Sequence, residues 1–152
     1  MTAQLRADVT AANAASGTVL GFDFGGKRIG VAVGERMLRL AHPLPTISIE
    51  DKERRFAEID RLVAEWHPER LVLGLPLATD GSEHEMTRRC RRFARQLEAR
   101  YRLPVELVDE RYSSASAEEL LRAQKVDLRK DKAALDAAAA QIILQDYFDA
   151  ND

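Results

Sequence analysis

The 152-residue chain has one cysteine, Cys90, which excludes an internal disulfide and a cysteine-cluster zinc site. That usage fits a reducing, cytoplasmic setting. Aromatic residues make up only 6% of the sequence, which argues against binding single strands by stacking bases on rings. No apolar run reaches the length of a membrane span. The first sixteen residues, with Arg6 and Asp8 among them, hold no apolar core of a signal peptide. The three histidines, His42, His67 and His84, are scattered without ligand spacing, so none suggests a metal ligand or general base. Net charge is −2, so a nucleic-acid partner has to be drawn by a local patch and not by the bulk field. No internal repeat is visible, and no side chain stands out as a covalent nucleophile.

What remains is ordinary for one soluble globular domain: 45% hydrophobic and 32% charged residues, in a chain long enough to bury a core. Residues 1–16 read as a polar, alanine-rich tail, expected to be disordered. Residues 17–150 read as a single domain.

Residues 17–34 carry the strongest signal. An apolar strand from Val19 to Phe24 contains Asp23, turns through Gly25 and Gly26, and returns as a second strand through Ile29, Val31 and Val33. A carboxylate among Val, Leu, Phe and Ile is costly unless it pairs or binds a metal. Lys27 and Arg28 follow in the turn, where they can meet phosphate or simply be solvated. The segment from Met37 to Ile49, with Pro43 and Pro45, predicts a short irregular third strand. Phe56, Ile59, Leu62, Val63 and Trp66 recur at helical spacing over Asp51 to Trp66, with Trp66 expected in the core. Arg70 to Leu75 predicts a buried strand. Ser82, with Glu85 three residues on, predicts the cap of the next helix, whose apolar stripe is Met86, Cys90, Phe93 and Leu97. Val105 to Val108 predicts a further buried strand. A short helix follows from Ser113, and Asp131 opens the last one. Strand–helix alternation after an antiparallel hairpin implies an α/β fold, a mixed five-stranded sheet with helices on both faces.

Three acids stand out by position: Asp23 near the end of the first strand, Glu110 directly after the Val105–Val108 strand, and Asp136 in the last helix. Asp136, Ala140, Ile143 and Tyr147 share one helical face, so Asp136 continues a stripe that should pack on the sheet. Three converging carboxylates repel unless a cation joins them, and hard divalent ions such as magnesium or manganese prefer oxygen ligands. Two such ions ~3.5–4 Å apart activate water and stabilise the leaving oxygen of a phosphodiester. The plain alternative is that these acids are strand-end and helix-dipole residues. Asp109 is the alternative to Glu110; adjacent strand residues face opposite ways, and Glu110 is the choice.

These residues resemble the YqgF (RuvX-type) family. Gly21-Phe-Asp23-Phe-Gly25-Gly-Lys27-Arg28-Ile-Gly30-Val-Ala-Val is similar to its opening motif. Leu73-Gly74-Leu75-Pro76-Leu77 with Asp80-Gly81-Ser82 is similar to its central loop. Val108-Asp109-Glu110-Arg111-Tyr112-Ser113-Ser114 resembles its acidic signature, and the segment from Asp136 to Gln145 its C-terminal helix. The resemblance implies an RNase H-like fold and a divalent-metal nuclease with Asp23, Glu110 and Asp136 as its acids. It implies one of two jobs, 5′-end maturation of the small-subunit ribosomal RNA precursor or resolution of Holliday junctions. Gly26 departs from the family, whose members often carry Thr or another side chain there.

Further candidates surround this set. Arg111 either contacts substrate or pairs with Asp109 or Glu110. Arg88, Arg91, Arg92 and Arg95 share a helical face opposite the apolar stripe, which is either a phosphate track or an ordinary solvated face. Cys90 should be buried packing. Competing classes are a nucleotide-binding ATPase, for which the chain is too short, and a non-catalytic binding module for RNA or transcription machinery. The expected partner is nucleic acid, as structured RNA or branched DNA, with no membrane. The expected oligomer is a monomer or a homodimer; a two-fold dimer would suit a junction resolvase.

Overall fold

The structure is a computed structural model that describes residues 17–110, 113–124 and 131–151, the side chains of 113–117 apart. Five strands, β1 (Thr18–Phe24), β2 (Ile29–Glu35), β3 (Leu40–Ile47), β4 (Arg70–Leu75) and β5 (Val105–Asp109), form one sheet in the order β3-β2-β1-β4-β5. The first three run antiparallel, and β4 and β5 are parallel to β1. Four helices accompany them: α1 (Lys52–Trp66), α2 (Glu85–Tyr101), α3 (Ser113–Ala123) and α4 (Lys132–Ala150). No helix among the described residues is long and apolar enough to cross a membrane.

Alternation along β1 decides what lies on each face. Leu20 and Phe22 join Ile29, Val31, Leu71 and Leu73 in a core shared with Phe56, Ile59 and Leu62 of α1 and with Cys90, Phe93 and Leu97 of α2. Val19, with Ala32 and Val72, faces Ala140, Ile143, Leu144, Tyr147 and Phe148 of α4. Helix α4 lies close on the hairpin. A Cβ on Gly30 would overlap the carbonyl oxygen of Asp136, so only glycine permits this approach. Helix α3 packs on the outside of α4 through Leu121 against Ala138 and Ala139.

Helix α1 starts where Asp51 accepts a 3.0 Å bond from the Arg54 backbone and ends at His67, which takes a left-handed φ of 46°. The third strand is irregular as its prolines suggest, with a register shift opposite Ile29 and Val31. Three expectations change. Ser82 does not cap α2: its N–H and hydroxyl both bond Asp80 within the loop, and the helix starts at Glu85, three residues after Ser82, with His84 at the cap position. There Thr87 is fully buried, takes a 3.1 Å bond from the His84 backbone and donates to the Pro76 carbonyl. Trp66 is 36% exposed because it falls on the last turn of α1, beyond the sheet's cover. The β5 strand is an edge strand, with Glu106 and Leu107 exposed, because among the described residues no sixth strand closes that side.

Candidate active site

The hairpin, the end of β5 and the first half of α4 meet at one end of the sheet. Asp23 pairs with Gly30 across the hairpin, and alternation puts its side chain on the α4 face. Glu110 follows β5, and its N–H still bonds the Leu75 carbonyl at 3.2 Å, so the ladder runs one residue past the strand. Its carboxylate lies over Gly74. A Cβ there would come within 2.7 Å of Glu110 Oε2 and 2.5 Å of Ile143 Cδ1, so the missing side chain is what admits the acid. Asp136 stands one turn before Ala140, on the stripe that packs against the sheet.

The electrostatics join these three. Burial first, then the charge of Asp136, pushes the Asp23 carboxyl from 3.8 up to about 6; a hydrogen bond with Glu110 opposes the rise. The same field crosses the sheet. On the opposite face burial, then Glu110 and Asp23, push the Cys90 thiol up to about 12, so it stays an unreactive packing thiol. Arg28 answers part of the excess charge, with its Nε 2.5 Å from Asp136 Oδ2. Among the described residues no three His, Cys, Asp or Glu side chains stand in a ready ligating arrangement. The acids are neighbours, but Asp136 is turned to a guanidinium.

The remaining sequence candidates separate. Lys27 is exposed in the turn, and Arg28 is half-buried against Asp136. Arg111 lies outside the described residues. Asp109 alternates to the other side of β5 and is exposed. Of the arginine face, Arg91 pairs with Glu83 through two bonds of 2.7 and 3.3 Å, so its charge is already answered. Arg88, Arg92 and Arg95 are exposed.

Sequence reasoning missed two cations. Arg55 is 7% exposed, donates to the Ile49 carbonyl, and gives 2.9 Å bonds to the carbonyls of Gly25 and Gly26. It therefore clamps the turn that carries Lys27 and Arg28. Arg89 holds its guanidinium 5.7 Å from the centre of the Phe24 ring. The only signal for either was its adjacency to an apolar stripe position, Phe56 or Cys90.

Comparison with known proteins bears on this arrangement. Residues 17–150 match the family model described as RuvX, Holliday junction resolvase. The chain belongs to that family. A Methylobacillus flagellatus protein is 58% identical over 133 residues, 88% of this chain and 91% of the relative; a Nitrosomonas europaea protein is 54% identical over 137 residues, 90% and 93%. Both are provisionally named pre-16S rRNA nuclease. Among solved structures, fowlpox virus resolvase bound to Holliday junction DNA superposes with a TM-score of 0.58 at 10% identity, over 88% of this chain and 97% of the other. RuvC of T. thermophilus with its Holliday junction substrate gives 0.55 at 18% identity, over 88% and 94%. The fold of this RuvX-family chain is RNase H-like, as the opening motif implied.

Proposed function

We propose that the chain is a divalent-metal-dependent endonuclease in which Asp23, Glu110 and Asp136 hold the metal. The observation that carries this is the meeting of three acids from distant parts of the chain: Asp23, raised first by its burial, also feels the charge of Asp136 and hydrogen-bonds Glu110, a cluster that a cation would relieve. The donors are all carboxylate oxygens, which suits magnesium or manganese and does not suit soft metals. When bound, such an ion supplies Lewis-acid stabilisation of the charge that builds on the phosphate oxygens.

The chain's own residues do the rest. The backbone of α4, pressed on Gly30, fixes where Asp136 sits. The gap at Gly74 lets Glu110 lean in toward Asp23. Arg28 holds Asp136 through its Nε. Released, its guanidinium would lie beside the acids, where an attacked phosphate would be held. Lys27 adds a second cation at the same turn, and Arg111, next to Glu110 in sequence, is assigned the role of a substrate contact.

The substrate is nucleic acid in the cytoplasm. We assign 5′-end processing of pre-16S ribosomal RNA, since relatives that share more than half of their residues with this chain over about nine-tenths of its length carry that name. Junction resolution is the second reading, supported by the family description and by the resolvase fold. The deciding experiment offers a four-way DNA junction and precursor RNA to the protein, each with magnesium, with manganese and with chelator. Cleavage of the RNA alone, lost in chelator, is the expected result. Cleavage of the junction by a two-fold dimer would establish the second reading. Equal activity of Asp23→Asn and wild type would remove Asp23 from the site.

A further inference from the structure

The opposite side of the same hairpin carries a second feature that the acid site does not use. A cavity of about 260 Å³ opens between the turn, the start of α1 and the middle of α2. Phe24, Gly26, Lys52, Arg55, Arg89 and Arg92 shape it, and Glu50 is its one acid. Among the described residues no carboxylate lies within 4.0 Å of Lys52, Arg89 or Arg92. Arg55 is the buried floor. Its Nε and Nη2 are committed to backbone carbonyls, and Nη1 has no protein acceptor among the described residues. Burial, then the neighbouring charge of Arg89, pulls the Arg55 guanidinium below its ordinary value, and the charge of Glu50 opposes the shift without reversing it. Both guanidinium groups stand 5.7 Å from the Phe24 ring centre, which holds them in place. At Gly26 the backbone is bare: a Cβ would meet only Arg89 nitrogens, at 3.8 and 3.9 Å.

We infer that this cavity is a phosphate subsite, in which Arg89, Arg92 and Lys52 grip a backbone phosphate of the nucleic-acid strand that crosses the Gly25–Gly26 turn to reach the acids. Clustered, unanswered cations around a walled hollow are what phosphate recognition requires. The place is right as well. Asp23 and Phe24 are consecutive and face opposite sides of β1, so a strand draped over the turn meets the acids on one side and the arginines on the other. The idea rests on the nuclease reading for the identity of the strand, and its test does not depend on cleavage.

Binding is measured by fluorescence anisotropy in the Asp23→Asn background, across a salt series, with oligonucleotides that carry or lack a 5′-phosphate. The double variant Arg89→Gln, Arg92→Gln alters exposed side chains only. Its expected result is binding weakened by about tenfold or more, and a log–log salt slope shallower by about 1.4–1.8, two phosphate contacts' worth. Arg61→Gln, which removes one positive charge from α1 where the arginine pairs with Glu58 and Glu65, should match its parent. Loss that is equal with and without the 5′-phosphate identifies an internal phosphodiester. Loss confined to the phosphorylated strand identifies a terminal phosphate in the same cavity. An unchanged dissociation constant and slope in the double variant would overturn the subsite. Failure of wild type to cut RNA or junction would instead strike the nuclease reading and leave the binding result standing.

Discussion

Asp23 and Phe24 are adjacent in the chain and look onto opposite electrical surroundings. On the α4 side of the hairpin, three acids gather where Arg28 pairs with Asp136, and burial and crowding appear as an Asp23 carboxyl raised to about 6. On the side of α1 and α2, two guanidinium groups share one ring with a single acid nearby, and the strain appears as a depressed arginine. One side is short of positive charge and the other is short of negative charge. The alternation of one strand sets both deficits a residue apart. A metal ion and a phosphodiester are the two species that would satisfy them together.

That contrast can be broken from either side. The largest effect is expected from Asp136→Asn and Asp23→Asn, each losing nearly all metal-dependent cleavage while keeping the fold, checked by circular dichroism beside the assay. Next comes Arg55→Met, which removes the clamp on the Gly25 and Gly26 carbonyls. Buried groups left unpaired cost about 1–3 kcal/mol each, so urea unfolding should show a loss of about 2–4 kcal/mol. Gly74→Ala is expected to cost about 1–3 kcal/mol through overlap with Ile143 and Glu110, and to blunt the rise in melting temperature on adding manganese.

The subtlest prediction concerns pH. In the metal-free chain Asp23 holds its proton up to about pH 6, against 3.8 ordinarily. Across that window the folded state binds the extra proton. Its stability therefore falls as pH rises from about 4 to about 6, and the deficit is complete above that. The deficit is about 1–3 kcal/mol. Urea titrations in chelator should show this fall for wild type, and Asp23→Asn should flatten it and be the more stable protein at pH 7.5. A flat wild-type profile would mean that neither burial nor Asp136 raises the Asp23 carboxyl.

Much of this was legible in residues 17–34, because a strand that must bury one face announces its polar exceptions. Asp136 was legible for the same reason, through Ala140, Ile143 and Tyr147. Arginine was harder to read. Arg55 and Arg89 sit beside apolar stripe positions, where a long side chain is ordinarily taken to reach water. Only the packing of α1, α2 and the turn shows that one is buried and the other lies on a ring. The start of α2 was misplaced because Ser82 and Glu85 form a plausible cap locally, while the decisive bond runs from Thr87 to Pro76, eleven residues back. Position in the sheet was equally invisible. Val105 to Val108 has the composition of an interior strand, and its place on the margin depends on what does not pair with it.

That marginal place matters for Glu110. Asp23 belongs to the central strand, held by neighbours on both sides, and Asp136 is pinned by a helix seated on Gly30. Glu110 follows the outermost strand, where its N–H bonds the Leu75 carbonyl and its side chain hydrogen-bonds Asp23. If the three acids hold the proposed metal, two of them stand on a rigid anvil and the third is mounted at the rim.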